Sequence, residues 1–84
     1  MSSIQAVCVG VITIDTIALV DKYPSADERV SAQEIARAGG GPAAVAAVTL
    51  SRLGIKSAIV GTIGDDADGK EVLRIFEKED VDTS

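Results

Sequence analysis

Histidine and tryptophan are absent from this 84-residue chain, and tyrosine and phenylalanine occur once each. Without histidine the chain lacks the side chain most often used to move protons near neutral pH and to hold zinc, which removes imidazole chemistry from consideration. Cysteine occurs once, so no internal disulfide can form, and the neighbours Val7 and Val9 place Cys8 in an apolar strand as core rather than as a nucleophile. Positive charge is sparse: 8 Lys and Arg stand against 13 Asp and Glu, for a net charge of −5, and neither sign gathers into a long block. With no basic patch and no aromatics interleaved with one, nucleic acid is not an expected partner. No apolar run reaches the length of a membrane span, and residues 1–5 carry no positive region of the kind that opens a secretory signal. The expectation is a cytoplasmic chain with no membrane partner.

What the chain has instead is aliphatic. Hydrophobic residues make up 46% of it although aromatics supply only 2%, and the mean hydropathy is +0.28. A chain of this length forms one domain at most and buries a modest fraction of its surface, so it should be polar. So much Ala, Val and Ile points to apolar surface that meets more protein. The chain is therefore expected to be a fragment, or one part of a larger assembly.

Residues 6–14 are a near-continuous run of Val, Ile, Cys and Gly that suits a strand buried on both faces of a parallel sheet, with Asp15 at its carboxyl end. Residues 16–20 are a second β-prone run, closed by the turn formers Asp21-Lys22-Tyr23-Pro24-Ser25. Residues 30–38 alternate imperfectly and read as an exposed strand that could pair with residues 16–20 as an outlying flap. Pro42 starts and Gly54 stops a helix that is apolar on nearly every face, and so is expected to be buried on most sides. Residues 57–63 give a further apolar strand. After the turn Gly64-Asp65-Asp66, residues 67–78 form a second helix with Val72, Leu73, Ile75 and Phe76 on one stripe. Residues 81–84 look like the approach to another strand. Strands and helices in this alternation predict an α/β fold with a mostly parallel sheet.

In open α/β sheets, ligands bind beyond the carboxyl ends of the strands, an edge that Asp15, the glycines 39–41 and the Gly64-Asp65-Asp66 turn can share. Asp15 is an acceptor-only carboxylate suited to sugar hydroxyls, against the blander role of a turn or cap residue. Gly39-Gly40-Gly41 followed by Pro42 leaves bare backbone and helix-terminal N–H groups open to a polar ligand, against plain close packing of helix on strand. Two motifs mislead. Gly64-Asp65-Asp66-Ala67-Asp68-Gly69-Lys70 has the spacing of a P-loop, but Glu71 replaces its metal-binding hydroxyl and three aspartates would face a polyphosphate. Asp65, Asp66 and Asp68 do not match a calcium loop either, and read as acids favoured at a helix N-terminus. The glycines 39–41 with Ala44 also fit a dinucleotide fingerprint, which keeps an oxidoreductase fragment open as an alternative.

Taken in order, Val9-Gly10 with Asp15 five residues beyond the glycine, Gly40-Gly41 opening an Ala-rich helix, Arg52-Leu53-Gly54, and residues 60–69 with their Gly-Asp-Asp turn resemble the amino-terminal part of the ribokinase-like (PfkB family) carbohydrate kinases. The resemblance covers almost the whole chain. It implies the amino-terminal part of a three-layer fold with a small β lid, and an ATP-dependent kinase, using ATP and Mg2+, that phosphorylates a sugar hydroxyl. It further implies that Asp15, Gly40 and Gly41 bind the sugar, and that residues 16–20 and 30–38 form a lid that covers the substrate and can make a homodimer contact. Val45 stands where the family often has a sugar-contacting asparagine, so one polar contact is missing. The Gly-Gly-Gly-Pro-Ala-Ala version is nearest to a sulfofructose-kinase-like or related ketose-kinase branch. The catalytic base, the anion hole and the ATP pocket of the family lie in a carboxyl-terminal half, so the 84 residues alone are expected to be inactive. A non-catalytic module that only binds a sugar or a partner is the alternative from a different class.

Overall fold

The computed structural model describes residues 3–84. The apolar run at residues 6–14 is not one strand. Strand β1, Ala6–Val9, stops where Gly10 takes φ 153, and the chain crosses through Val11 and Ile12 into strand β2, Thr13–Leu19. β2 pairs antiparallel with β3, Glu34–Gly40, in a register running from Thr13 opposite Gly40 to Leu19 opposite Glu34. The two β-prone pieces thus form an isolated ribbon, displaced from residues 16–20 and 30–38 to residues 13–19 and 34–40. The displacement has a packing cause: Ile12 and Ile14, which extend the apolar run, pack on the core from the base of the ribbon. At the ribbon's far end Lys22 pairs with Glu28 at 3.0 Å, and the Ser25 N–H donates to the same carboxylate at 2.8 Å.

Helix α1, Pro42–Arg52, leads to strand β4, Ser57–Val60, and helix α2, Ala67–Lys78, closes the order. β4 lies parallel to β1, with Ala6 opposite Ser57 and Val9 opposite Val60. On its other side β4 accepts the beginning of a third parallel strand: Ile59 N–H donates to the Asp82 carbonyl at 2.9 Å, and Asp82 N–H donates to Ser57 at 3.0 Å. The α/β architecture expected from the sequence is therefore present, with the ribbon standing outside the sheet.

One core joins Ala43, Ala44 and Ala47 of α1 to Ile59, Val72, Phe76 and Val81, so both helices cover the same side of the sheet. Alanines let α1 come close to β4, where the fully buried Ser57 donates its hydroxyl to the Ala47 carbonyl at 2.8 Å. The helix buries that alanine stripe and little more: Val45 is 55% and Leu53 73% exposed, where the sequence suggested burial on most sides. α2 turns Val72 and Phe76 inward, leaves Ile75 half-buried and leaves Leu73 exposed. The opposite side of the sheet, carrying Val7, Val9 and Val60, is open to solvent.

The carboxyl ends of the helices are tied together. Arg52 Nε donates to Glu79 Oε1 at 2.9 Å, its Nη2 donates to the other oxygen, and Ser51 Oγ donates to the Glu79 carbonyl at 2.5 Å. The Arg52 hydrogen bond holds the Glu79 carboxyl below its ordinary value of 4.5. A depressed carboxyl stabilises the fold above its unfolded pKa, and the contribution disappears as pH falls through the lower, folded value. Urea unfolding between pH 7 and pH 3 should therefore show a loss of stability that begins below about 4.5 and is smaller in Glu79→Gln. In the core, Phe76→Ala should lower the unfolding free energy by about 3 to 5 kcal/mol. Leu53→Ala, at an exposed position, should change it by less than about 0.5 kcal/mol in the same measurement.

Candidate functional site

The site is built where the ribbon meets the start of α1. Asp15 is not at the end of a parallel strand: it is the third residue of β2, exposed, and paired with Ala38 across the ribbon. Alternation along β2 puts Thr13 and Asp15 on one face, and the register brings Gly40 of β3 to that face opposite Thr13. A Cβ placed on Gly40 would lie 2.5 Å from Asp15 Oδ2 and 2.9 Å from Thr13 Oγ1. The missing side chain at Gly40 is what allows a carboxylate and a hydroxyl to stand directly against backbone. Thr13 escaped the sequence reading because its apolar neighbours placed it inside a buried strand. The i, i+2 spacing to Asp15 identifies it once the ribbon is known.

Gly41 follows as the N-cap of α1, with φ 94, and a Cβ there would collide with the Val11 carbonyl oxygen. Only glycine meets both demands, the backbone conformation and the close crossing. No side chain caps this helix, its first turn contains no acid, and Pro42 occupies its first position. The first hydrogen bond runs from Val45 N–H to the Gly41 carbonyl at 2.9 Å, so the N–H groups of Ala43 and Ala44 open the helix without intrahelical acceptors. Donors at the positive end of the helix dipole thus adjoin the acceptors Asp15 and Thr13.

Val45 sits one turn into α1 and, with Gly40 and Thr13, lines a cavity of about 340 Å³ that continues between the helices along Val48, Ile75 and Phe76. Asp15 stands on the same ribbon face as Thr13 and Gly40, outside the cavity's lining. The wall at Val45 is apolar, as its side chain dictates.

The Gly64-Asp65-Asp66 turn is a different kind of feature. Asp66 caps α2 by accepting the Gly69 N–H at 2.9 Å, and Asp68 receives Arg37 Nη2 at 2.5 Å. Glu71 accepts from Arg37 Nε at 3.2 Å and forms an ion pair with Nη2 at 3.1 Å, and the Glu71 hydrogen bond is the first cause of a raised Arg37 pKa. Two of the three acids of the P-loop look-alike, Asp66 and Asp68, are thus used as helix cap and ion-pair partner. Among the described residues no group of three His, Cys, Asp or Glu side chains is placed to hold a metal ion.

The family model for pfkB family carbohydrate kinases matches residues 3–84. This chain belongs to the pfkB family. Similar proteins include a ketohexokinase from Mus musculus, 34% identical over 86 residues that cover 100% of this chain and 28% of the relative. A ribokinase from Haemophilus influenzae is 35% identical over 75 residues, covering 89% of this chain and 24% of the relative. Among solved structures, a ribokinase from Thermotoga maritima superposes with a TM-score of 0.84 at 29% identity, over 94% of this chain and 27% of that one. A fructokinase from Halothermothrix orenii does so with a TM-score of 0.74 at 31% identity, over 94% and 29%. The chain thus spans about a quarter of the length of the relatives it matches. The pfkB resemblance read from the motifs and the ribokinase-like fold both hold.

Two substitutions separate the roles of the glycines. Gly41→Ala meets backbone at a positive φ and should destabilise the pfkB chain by about 1 to 3 kcal/mol in urea unfolding. Gly40→Ala meets mobile side-chain ends, so it should change stability by less than about 1 kcal/mol while shifting the carboxyl carbon resonance of Asp15. An unshifted Asp15 resonance would contradict the contact.

Proposed function

We propose that this chain is the sugar-binding part of an ATP-dependent carbohydrate kinase that transfers the γ-phosphoryl group to a sugar hydroxyl. The observation that carries the reading is the Asp15 carboxylate standing against the bare backbone of Gly40, one residue from the uncapped start of α1. Sugar hydroxyls need acceptors and donors together. Asp15 accepts, Thr13 does either, and the Gly40–Gly41 backbone gives a hydroxyl access to the helix-terminal N–H groups. Val45 offers a sugar a CH contact in place of a hydrogen bond, which reduces the hydroxyl pattern recognised at that wall. Ketoses are the first acceptors to test, in keeping with the Gly-Gly-Gly-Pro-Ala-Ala helix start.

The β2–β3 ribbon acts in this reading as a lid whose closure excludes water, so that phosphate goes to the sugar and not to solvent. Its exposed Ile17, Leu19 and Ile35 give it an apolar tip suited to a homodimer contact. ATP and Mg2+ belong to the parent kinase. Asp66 caps α2, Asp68 is paired with Arg37, and among the described residues no three acids are grouped to hold a metal ion, so no residue here is assigned to either. No step of phosphoryl transfer is assigned to this chain: the base and the charge stabilisation that transfer requires are supplied by the rest of the parent. No helix among the described residues is long and apolar enough to cross a membrane.

Calorimetric titration of the chain with D-fructose and D-ribose tests the site. Asp15→Ala should weaken binding by about tenfold or more, the effect of removing a charged hydrogen-bond partner, whereas equal affinity in the variant would refute the role of Asp15. Titration with NADH should show no binding, and the purified chain should release no ADP from ATP in the presence of either sugar. ADP release would overturn the division of labour.

A further inference from the structure

The ribbon has little holding it at a fixed angle. Ile12 and Ile14 pack at its base and Gly39 lies 3.6 Å, measured from a placed Cβ, from the Ile75 side chain. From Ile17 on β2 and back to Ala36 on β3 both faces are exposed. The last rung with a tie to the body is Thr16 opposite Arg37. There Arg37 reaches across to the first turns of α2, taking Asp68 at 2.5 Å and Glu71 at 3.1 Å, while its Nη1 donates to Thr16 Oγ1 at 3.4 Å. The next rung toward the body is Asp15 opposite Ala38. A backbone change at Arg37 is therefore one residue from the partner of the proposed sugar-binding carboxylate.

We propose that Arg37 is a positioning residue: its forked grip on Asp68 and Glu71 sets the angle at which the β2–β3 ribbon leaves the body, and so where Asp15 stands over the start of α1. Three further observations support this. The ribbon joins the body through Gly10 at φ 153 and Gly41 at φ 94, two backbone positions at its entry and exit that would not by themselves fix a direction from side-chain packing. A guanidinium holds two carboxylates in a planar fork, which constrains orientation in a way a single ammonium does not. The ion pair is also partly exposed, with Arg37 39%, Asp68 56% and Glu71 32% exposed in their side chains, and pairs of that kind contribute little to global stability. Its effect belongs in geometry. The sugar-binding consequence rests on the function proposed above, whereas the grip itself does not.

The test uses Arg37→Gln, Arg37→Lys and the double variant Asp68→Asn with Glu71→Gln in this chain. Amide hydrogen exchange in the ribbon rungs 15–18 and 35–38 should quicken by up to about fivefold in Arg37→Gln and in the double variant, with the urea midpoint and the exchange of β1 and β4 unmoved. Arg37→Lys should fall between. Residual dipolar couplings should show the ribbon of Arg37→Gln reoriented against the sheet, and 0.5 M salt should move wild type part of the way. Affinity for D-fructose or D-ribose should fall by a similar factor in Arg37→Gln, with partial rescue in Arg37→Lys. Unchanged ribbon exchange and couplings in Arg37→Gln would overturn the proposal, as would a freed ribbon with sugar affinity intact. If wild type binds neither sugar, the sugar-site reading fails by itself, and the couplings still decide whether Arg37 directs the ribbon.

Discussion

The carbonyl of Val11 lies so close to the backbone of Gly41 that no side chain fits between them, and the arrangement of the candidate site depends on that crossing. It brings the chain leaving β1 against the chain entering α1. Because of it, the helix begins beside the ribbon rather than beyond it, and the donors of its first turn adjoin the acceptors of β2. The alanine stripe completes the constraint from the other side. Ala43, Ala44 and Ala47 keep α1 close to the sheet, and Ser57 secures the approach with a hydrogen bond to the helix backbone. A bulkier stripe would lift the helix and open the crossing.

Much of this was legible in the sequence because local chemistry decides it. The acids read at a helix N-terminus and the Val72–Phe76 spacing mark α2 over the residues where it is found, and Pro42 and Gly54 bracket α1. The antiparallel ribbon was harder. Its residues 13 and 14 continue the β-prone run of β1, and only tertiary packing shows that Ile12 in the crossing and Ile14 in β2 serve the core from outside the parallel sheet. Hence Asp15 was read as a strand terminus when it lies within a strand, and Thr13 was hidden in an apolar run. Gly39 and Gly40 are the last rungs of β3, and at Gly40 the small residue is required by what stands opposite. Arg37 gave one usable sign. It is a cation among the small and apolar residues Ile35, Ala36, Ala38, Gly39 and Gly40, followed in sequence by an acidic helix start that could receive it.

The division of labour between the ribbon and the body also follows from composition. The body is held by aliphatic packing with few polar ties inside, while the ribbon has almost no core of its own and depends on hydrogen-bonded rungs and surface charge pairs. Elements of that kind open at low free energy compared with the packed body. Asp15 and Gly40 thus stand on the ribbon, which is weakly attached to the body, while the free N–H groups of α1 belong to the packed body.

One feature of the sheet reaches beyond the site. β1 is paired along one side only, and its other side presents unmatched amide and carbonyl groups flanked by the exposed Val7 and Val9. Such an edge is a template for any extended segment that arrives, so its first suitable neighbour becomes part of the sheet. Crowded together, copies of this chain meet the same invitation in each other. Growth of the sheet from chain to chain then competes with pairing by any other strand that would cover this edge.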